Sequence, residues 1–119
     1  MYKQFYTEKK TYTKYDNEHY ILYLNEVEAQ REEDGATISG YEYSGDFGDG
    51  GTMIKATEAT YDQFVSGLIR TRYSADQVEA ILLNIQSDNV ERMAEFQREL
   101  DTLNAFREEC KGIANSLIG

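Results

Sequence analysis

The string from Gly40 to Thr52, GYEYSGDFGDGGT, holds the residues whose types and spacing come nearest to a chemical site. Asp46 and Asp49 stand among glycines, and carboxylates on a pliant loop are what a hard cation seeks. A calcium loop, however, needs oxygen ligands at alternating positions and a distal bidentate glutamate. Two aspartates without that glutamate do not meet the requirement, so no metal is expected there. The letters DFG also occur in kinases, but no other kinase element accompanies them. The run GDGG lacks the lysine and following helix of a phosphate loop, and two aspartates would repel phosphate. The segment Gly45 to Gly51 therefore reads as a hairpin tip in which glycine supplies positive φ. It is also a candidate protein-contact loop, with Phe47 as apolar anchor and Asp46 and Asp49 beside it.

Nucleophilic and metal chemistry find less. Cys110 is the one cysteine and His19 the one histidine, far apart in sequence. A thiol nucleophile wants a base in hydrogen-bond reach, and nothing else supports such a pair. One Cys and one His cannot make a usual zinc site either. Cys110 reads as a small, half-buried helix residue and His19 as a strand-edge residue. The acids number 22, but acid–base catalysis needs a pair held in a pocket with separated pKa values, and no pair stands out. Arg70 and Arg72, close to Tyr73, are candidates for an anion contact. They also suit pairing with local acids at a helix C-terminus. The tyrosines could line a ligand groove or stack on bases, but their strand spacing favours a sheet face with wet hydroxyls. No catalytic residue and no cofactor is expected.

The net charge of −10 bears on partners. Direct nucleic-acid binding needs Lys and Arg to neutralise phosphates, so it is not expected. Eight acids between Glu26 and Asp49 face one base, Arg31. That stretch could meet a basic surface, or simply keep the chain soluble. No apolar run approaches the length of a membrane span, and the start MYKQFYTEKK lacks the apolar core of a signal peptide. The expected location is the cytoplasm, or a particle assembled there.

These residues must be positioned by a chain of 119 residues, which suits a single domain over 1–119. Its pattern divides into a β-rich half, 1–57, and a helical half, 58–119. The first half holds eight of the ten tyrosines. Residues 10–15 alternate as an edge strand guarded by Lys10 and Lys14. His19 to Ala29, HYILYLNEVEA, reads as one strand whose first part is better buried. Gln30 to Gly35 is a charged turn, and Ala36 to Ser44 a third strand with Gly40 at a bulge. Thr52 to Ala56 is a fourth, making Gly45 to Gly51 the hairpin loop of an antiparallel meander.

From Thr57 the period becomes helical. Thr60 with Gln63 and Ser74 with Gln77 form capping boxes. Each precedes a one-face stripe: Tyr61, Phe64, Val65, Leu68 and Ile69, then Val78, Ile81, Leu82 and Ile85. The first stripe is expected to pack on the sheet. Asp88 with Glu91 opens a third helix. There Met93, Phe96, Leu100, Leu103, Arg107, Cys110, Ala114 and Leu117 step as a heptad seam, with Arg107 the charged exception. From 88 to 117 that helix would be roughly 45 Å long, against a diameter of about 35 Å for a domain of this size. It must overhang, bend near Gly112, or pack on a partner. Pairing with the second helix within the chain would bury the seam without an oligomer; failing that, Met93, Phe96, Leu100, Leu103 and Arg107 are candidate partner-binding residues.

Several local strings carry a resemblance: Gly40-Tyr41, Tyr43, Gly45-Asp46, Asp49-Gly50-Gly51-Thr52, Ile54 and Ala56, then Ile69-Arg70, Arg72-Tyr73-Ser74, and Cys110-Lys111. Together, over residues 40–111, they resemble small uncharacterised proteins of gut Bacteroidetes and their phages or prophages. The resemblance implies a setting among tail and structural genes, and it transfers no catalytic motif.

The fold expected is α+β: a small antiparallel meander of three or four strands, then three α-helices, the last long and heptad-patterned. The function expected is that of a non-enzymatic structural or assembly protein of a phage-like particle. It would bind virion or tail proteins, or a second copy of itself, through the long helix and the Phe47 loop. The alternative is an acidic inhibitor or decoy that blocks a basic nucleic-acid-binding host factor.

Overall fold

The computed structural model describes residues 1–118, arranged as two compact units, Met1–Thr57 and Glu58–Gly119. The fold class is α+β, with antiparallel strands followed by three helices, the last of them long.

In the first unit six strands build two three-stranded antiparallel sheets. They are β1 (Tyr2–Tyr6), β2 (Tyr12–Asp16), β3 (His19–Leu22), β4 (Val27–Glu33), β5 (Ala36–Gly45) and β6 (Thr52–Lys55). One sheet has the order β1-β5-β4, the other β2-β3-β6. β2 lies at a sheet edge, where Lys14 discourages further pairing.

The strands depart from a simple meander at three places. His19 to Ala29 is broken at Asn25, whose φ of 57° no extended strand accommodates. The chain therefore leaves one sheet at Leu22 and enters the other at Val27. Gln30 to Glu33 belong to β4, because the reversal takes only two residues: Asp34 at φ 52° and Gly35 at φ 78°. Two successive positive φ values are what a tight hairpin turn of the right twist demands, and Asp-Gly supplies them cheaply. Finally, the β4–β5 register runs evenly through Ala29↔Gly40, so Gly40 sits at no bulge. Its lack of a side chain serves close approach instead: a Cβ there would lie 2.3 Å from the Tyr6 carbonyl oxygen and 2.6 Å from the Phe5 ring.

A core joins the two sheets. Ile21, Tyr23 and Tyr43 are buried at its centre, with Tyr6, Tyr41, Phe47 and Met53 packed around them.

The second unit contains α1 (Tyr61–Arg70), α2 (Ala75–Ile85) and α3 (Met93–Ile118). Thr60 caps α1 by accepting the Gln63 N–H at 3.3 Å, while the Gln63 side chain accepts from Glu58 N rather than closing a full box. Ser74 and Gln77 do close theirs, at 3.1 and 2.7 Å. The third helix starts later than Asp88. Asn89 caps a short 3₁₀ turn, Val90–Arg92, which leads into α3. With 26 residues α3 extends about 39 Å and runs unbroken through Gly112. Both α1 and α2 pack against it. The apolar stripe of α1, with Phe64, Val65 and Leu68 buried, therefore has a helix as its partner within this unit.

Candidate functional site

The loop Asp46 to Gly51 links β5 of one sheet to β6 of the other, so it is a crossing between sheets rather than the tip of a hairpin. It closes on itself: Phe47 N–H donates to the Gly51 carbonyl at 2.9 Å and Gly50 N–H to the Phe47 carbonyl at 3.0 Å. Asp49 pins it to the core. One carboxylate oxygen accepts from Tyr23 Oη at 2.7 Å, the other from Gly51 N–H at 2.9 Å, and the Asp49 carbonyl accepts from Tyr6 Oη at 2.6 Å. Asp46 accepts from Met53 N–H at 3.2 Å. Both carboxylates are thus engaged by the chain's own donors. Among the described residues no group of three His, Cys, Asp or Glu could hold a metal ion.

Phe47 is not a free anchor. Its ring packs against the Ile21, Tyr23 and Tyr43 cluster and meets Tyr15 edge-on, with centroids 5.5 Å apart. Asp46, Phe47 and Asp49 thus link the two sheets, while Asp46 stays exposed and Phe47 half-buried.

The tyrosines around this loop are structural as well. Tyr6, Tyr23 and Tyr43 form a triangle of tilted and edge-on rings, with centroids 5.8 to 6.1 Å apart. Such geometry sets the positive edge of one ring against the negative face of the next. The Lys10 ammonium sits 4.7 Å from the Tyr6 ring centre and 5.3 Å from that of Tyr23, a cation over π faces. Tyr43 Oη donates to Glu26 at 2.6 Å and accepts from Lys10 N–H at 2.8 Å, and Lys9 pairs with Glu26 at 3.4 Å. These hydroxyls are therefore bonded to protein rather than wet. Burial, reinforced by the hydrogen bond to Glu26, pushes the Tyr43 phenol up to about 12. Burial and then the Asp49 carboxylate raise Tyr23 as well.

Cys110 is completely buried, and that burial pushes its thiol up to about 11, far from a reactive thiolate. His19 Nδ1 lies 2.9 Å from Asp16 Oδ1.

On α3 the candidate seam is mostly internal. Phe96 and Leu103 are buried, Met93 and Leu100 are partly covered, and Arg107 is exposed. The buried positions are Phe96, Leu103, Phe106, Cys110 and Ala114. Cys110 and Ala114, further along the seam, stay buried; Phe106 flanks the seam and is buried with them, while charged Arg107 is exposed. The Arg72 guanidinium covers the Phe106 ring at 3.9 Å from its centre, which gives that arginine a packing role.

The surface left open is elsewhere, along α2. This helix contains no buried residue, and Leu82 and Leu83 are 48% and 56% exposed. The reason is geometric: α2 rests on α3 with a hollow on each flank. One, of about 400 Å³, is bounded by Tyr73, Ile81, Glu95, Arg98, Glu99 and Thr102. The other, of about 250 Å³, has Ile69, Val78, Leu82 and Leu103 as apolar lining and Arg70, Asn104 and Arg107 at its polar margin. Among the described residues neither Arg70 nor Arg107 has a carboxylate partner. Two unpaired guanidinium groups beside exposed leucines make a surface suited to an apolar side chain flanked by acids. Arg107 and Leu103 thus belong to an open groove as well as to α3. The sequence carried a signal for this groove in the strongly apolar run Ala80 to Leu83, which has more apolar residues than one helix face can bury.

A hollow of about 610 Å³ also lies on the β1-β5-β4 sheet, lined by Thr7, Glu28, Ala29, Gln30, Ser39, Gly40 and Tyr41. Its polar groups stand on strand faces, and no buried side-chain polar atom among the described residues lacks a partner. No helix among them is long and apolar enough to cross a membrane. No family model, curated protein or solved structure matches this chain.

Proposed function

We propose that this chain is a non-enzymatic assembly protein of a phage-like particle that acts by binding other polypeptides through the α1–α2–α3 groove. The observation that carries the reading is α2, a helix without one buried residue whose Leu82 and Leu83 stand exposed beside unpaired arginines. Exposed leucines beside an apolar hollow are a surface that a partner can cover. Helix-in-groove docking, with apolar anchors spaced along one face, is the recognition mode such a surface serves. The particle setting rests on the resemblance of residues 40–111 to small uncharacterised proteins of gut Bacteroidetes and their phages or prophages.

The acidic decoy reading has less to stand on. Glu26, Asp46 and Asp49 are spent on internal bonds, and Glu33 pairs with Arg31 at 3.2 Å. That leaves fewer carboxylates to mimic a phosphate array.

A photo-crosslinking residue in place of Leu82, followed by particle purification and mass spectrometry, tests the proposal. A cross-link from position 82 to a polypeptide of the particle, a second copy of this chain included, is expected. Recovery of the chain only outside particles, with no cross-link, would overturn it.

A further inference from the structure

The groove and the helix beside it are complementary to each other in charge and shape. The α2 segment ADQVEAILLNI contains two acids, Asp76 and Glu79, and no base. Both acids are exposed and neither is paired among the described residues. At 100° per residue, Glu79, Leu83 and Asp76 lie on one side of α2 and Leu82 on its shoulder, next to the groove. The opposite margin of the groove is supplied by α1 and α3, and there the unpaired charges are positive: Arg70 and Arg107. One surface therefore presents leucines with acids on one margin and an apolar hollow with arginines on the other.

We infer that the groove receives α2 of a second copy of this chain, in a two-fold pair that sets Leu82 and Leu83 of each copy into the other's groove. Glu79 and Asp76 of each copy then meet Arg107 and Arg70 of its partner. The inference rests on the protein-binding reading of the groove given above and names its occupant. A two-fold axis requires one patch to be complementary to itself, and a patch with both signs and both shapes meets that condition. The leucines supply the buried area, and the two charge contacts set register and exclude wrong pairings. The volume of about 250 Å³ suits one or two large aliphatic side chains rather than a whole element. That matches a pair of leucines entering from a helix laid across the opening.

Sedimentation equilibrium of the full chain and of charge-reversed variants tests this. The wild type is expected to reach twice its 13.7 kDa as concentration rises. Leu83→Glu is expected to stay at that single-chain mass. Arg107→Glu and Glu79→Arg, each alone, should weaken pairing about tenfold or more, because each homodimer then carries two like-charge contacts. Mixed together the two variants should pair again, since both contacts in the mixed dimer are of opposite sign. Both substituted residues are exposed, so folding is retained, and far-ultraviolet circular dichroism checks it. A wild type that stays single at every concentration overturns the inference, as does a mixture no tighter than either variant alone. Such a result, with the position-82 cross-link to a particle polypeptide intact, removes the self-pairing and leaves the assembly reading in place. Pairing without any particle association has the reverse meaning.

Discussion

Tyr23 and Asp49 are joined by a 2.7 Å hydrogen bond from phenol to carboxylate, and that bond turns the acidic loop between β5 and β6 inward. Twenty-six residues separate the two. The contact converts a glycine-rich segment into a clasp between sheets, with the Asp49 backbone taking the Tyr6 hydroxyl at the same point. It also gives the loop's distinctive composition a structural role.

Asp49→Ala should therefore lower stability by about 1–3 kcal/mol, the cost of leaving partly buried donors without an ionised acceptor. Asp46→Ala, whose exposed carboxylate accepts one backbone N–H, should cost less than about 1 kcal/mol. Urea unfolding of both variants checks the order. Equal and negligible losses would mean that the loop is not a clasp.

Stability should fall in alkali. Tyr43 and Tyr23 have phenols raised above their ordinary value, so folding favours the neutral form. Below about pH 10 both states hold these phenols neutral, and the contribution is complete. Above it the unfolded chain ionises first. Stability then declines as pH climbs towards about 12, the folded value of Tyr43. The slope is at most about 1.4 kcal/mol per pH unit for each phenol. Urea midpoints between pH 8 and pH 11 measure it, and Tyr43→Phe should make the decline shallower.

Cys110 should resist a thiol reagent at pH 8 in the folded protein and react fully in urea. Its complete burial and raised pKa leave neither access nor thiolate. Fast labelling of the native chain would contradict the packing assigned to α3.

Gly40→Ala should destabilise by about 2 kcal/mol or more. The added methyl would meet the Tyr6 carbonyl, a backbone atom that cannot rotate away. Thermal unfolding reads this directly, and an unchanged midpoint would rule out the close β1–β5 approach.

What could be read beforehand followed from local rules. Ser74 with Gln77 forms the box its spacing implied, and the change of period after Thr57 falls where the two compact units divide. Lys14 does lie on an edge strand. The losses have physical causes. Asn25 breaks the long apolar strand because an asparagine tolerates positive φ. The loop's attachment to the core has no local signature because its partners, Tyr6 and Tyr23, are distant along the chain. Arg107 falls on the seam by spacing, but its charge keeps it exposed, and the neighbouring Phe106 is buried instead. The run Ala80 to Leu83 hinted at the groove along α2, but which leucines stay uncovered is set by how that helix rests on α3.

The central claim is that the helical groove, not the acidic loop, is the contact surface. Gradient sedimentation of particles formed with wild-type chain, with Leu83→Glu, and with Asp46→Asn plus Asp49→Asn measures it most directly. The account predicts that wild type and the double Asn variant travel with the particle, while Leu83→Glu, folded by circular dichroism, remains at the top of the gradient. Leu83→Glu travelling as wild type does, or wild type itself remaining at the top, would contradict it.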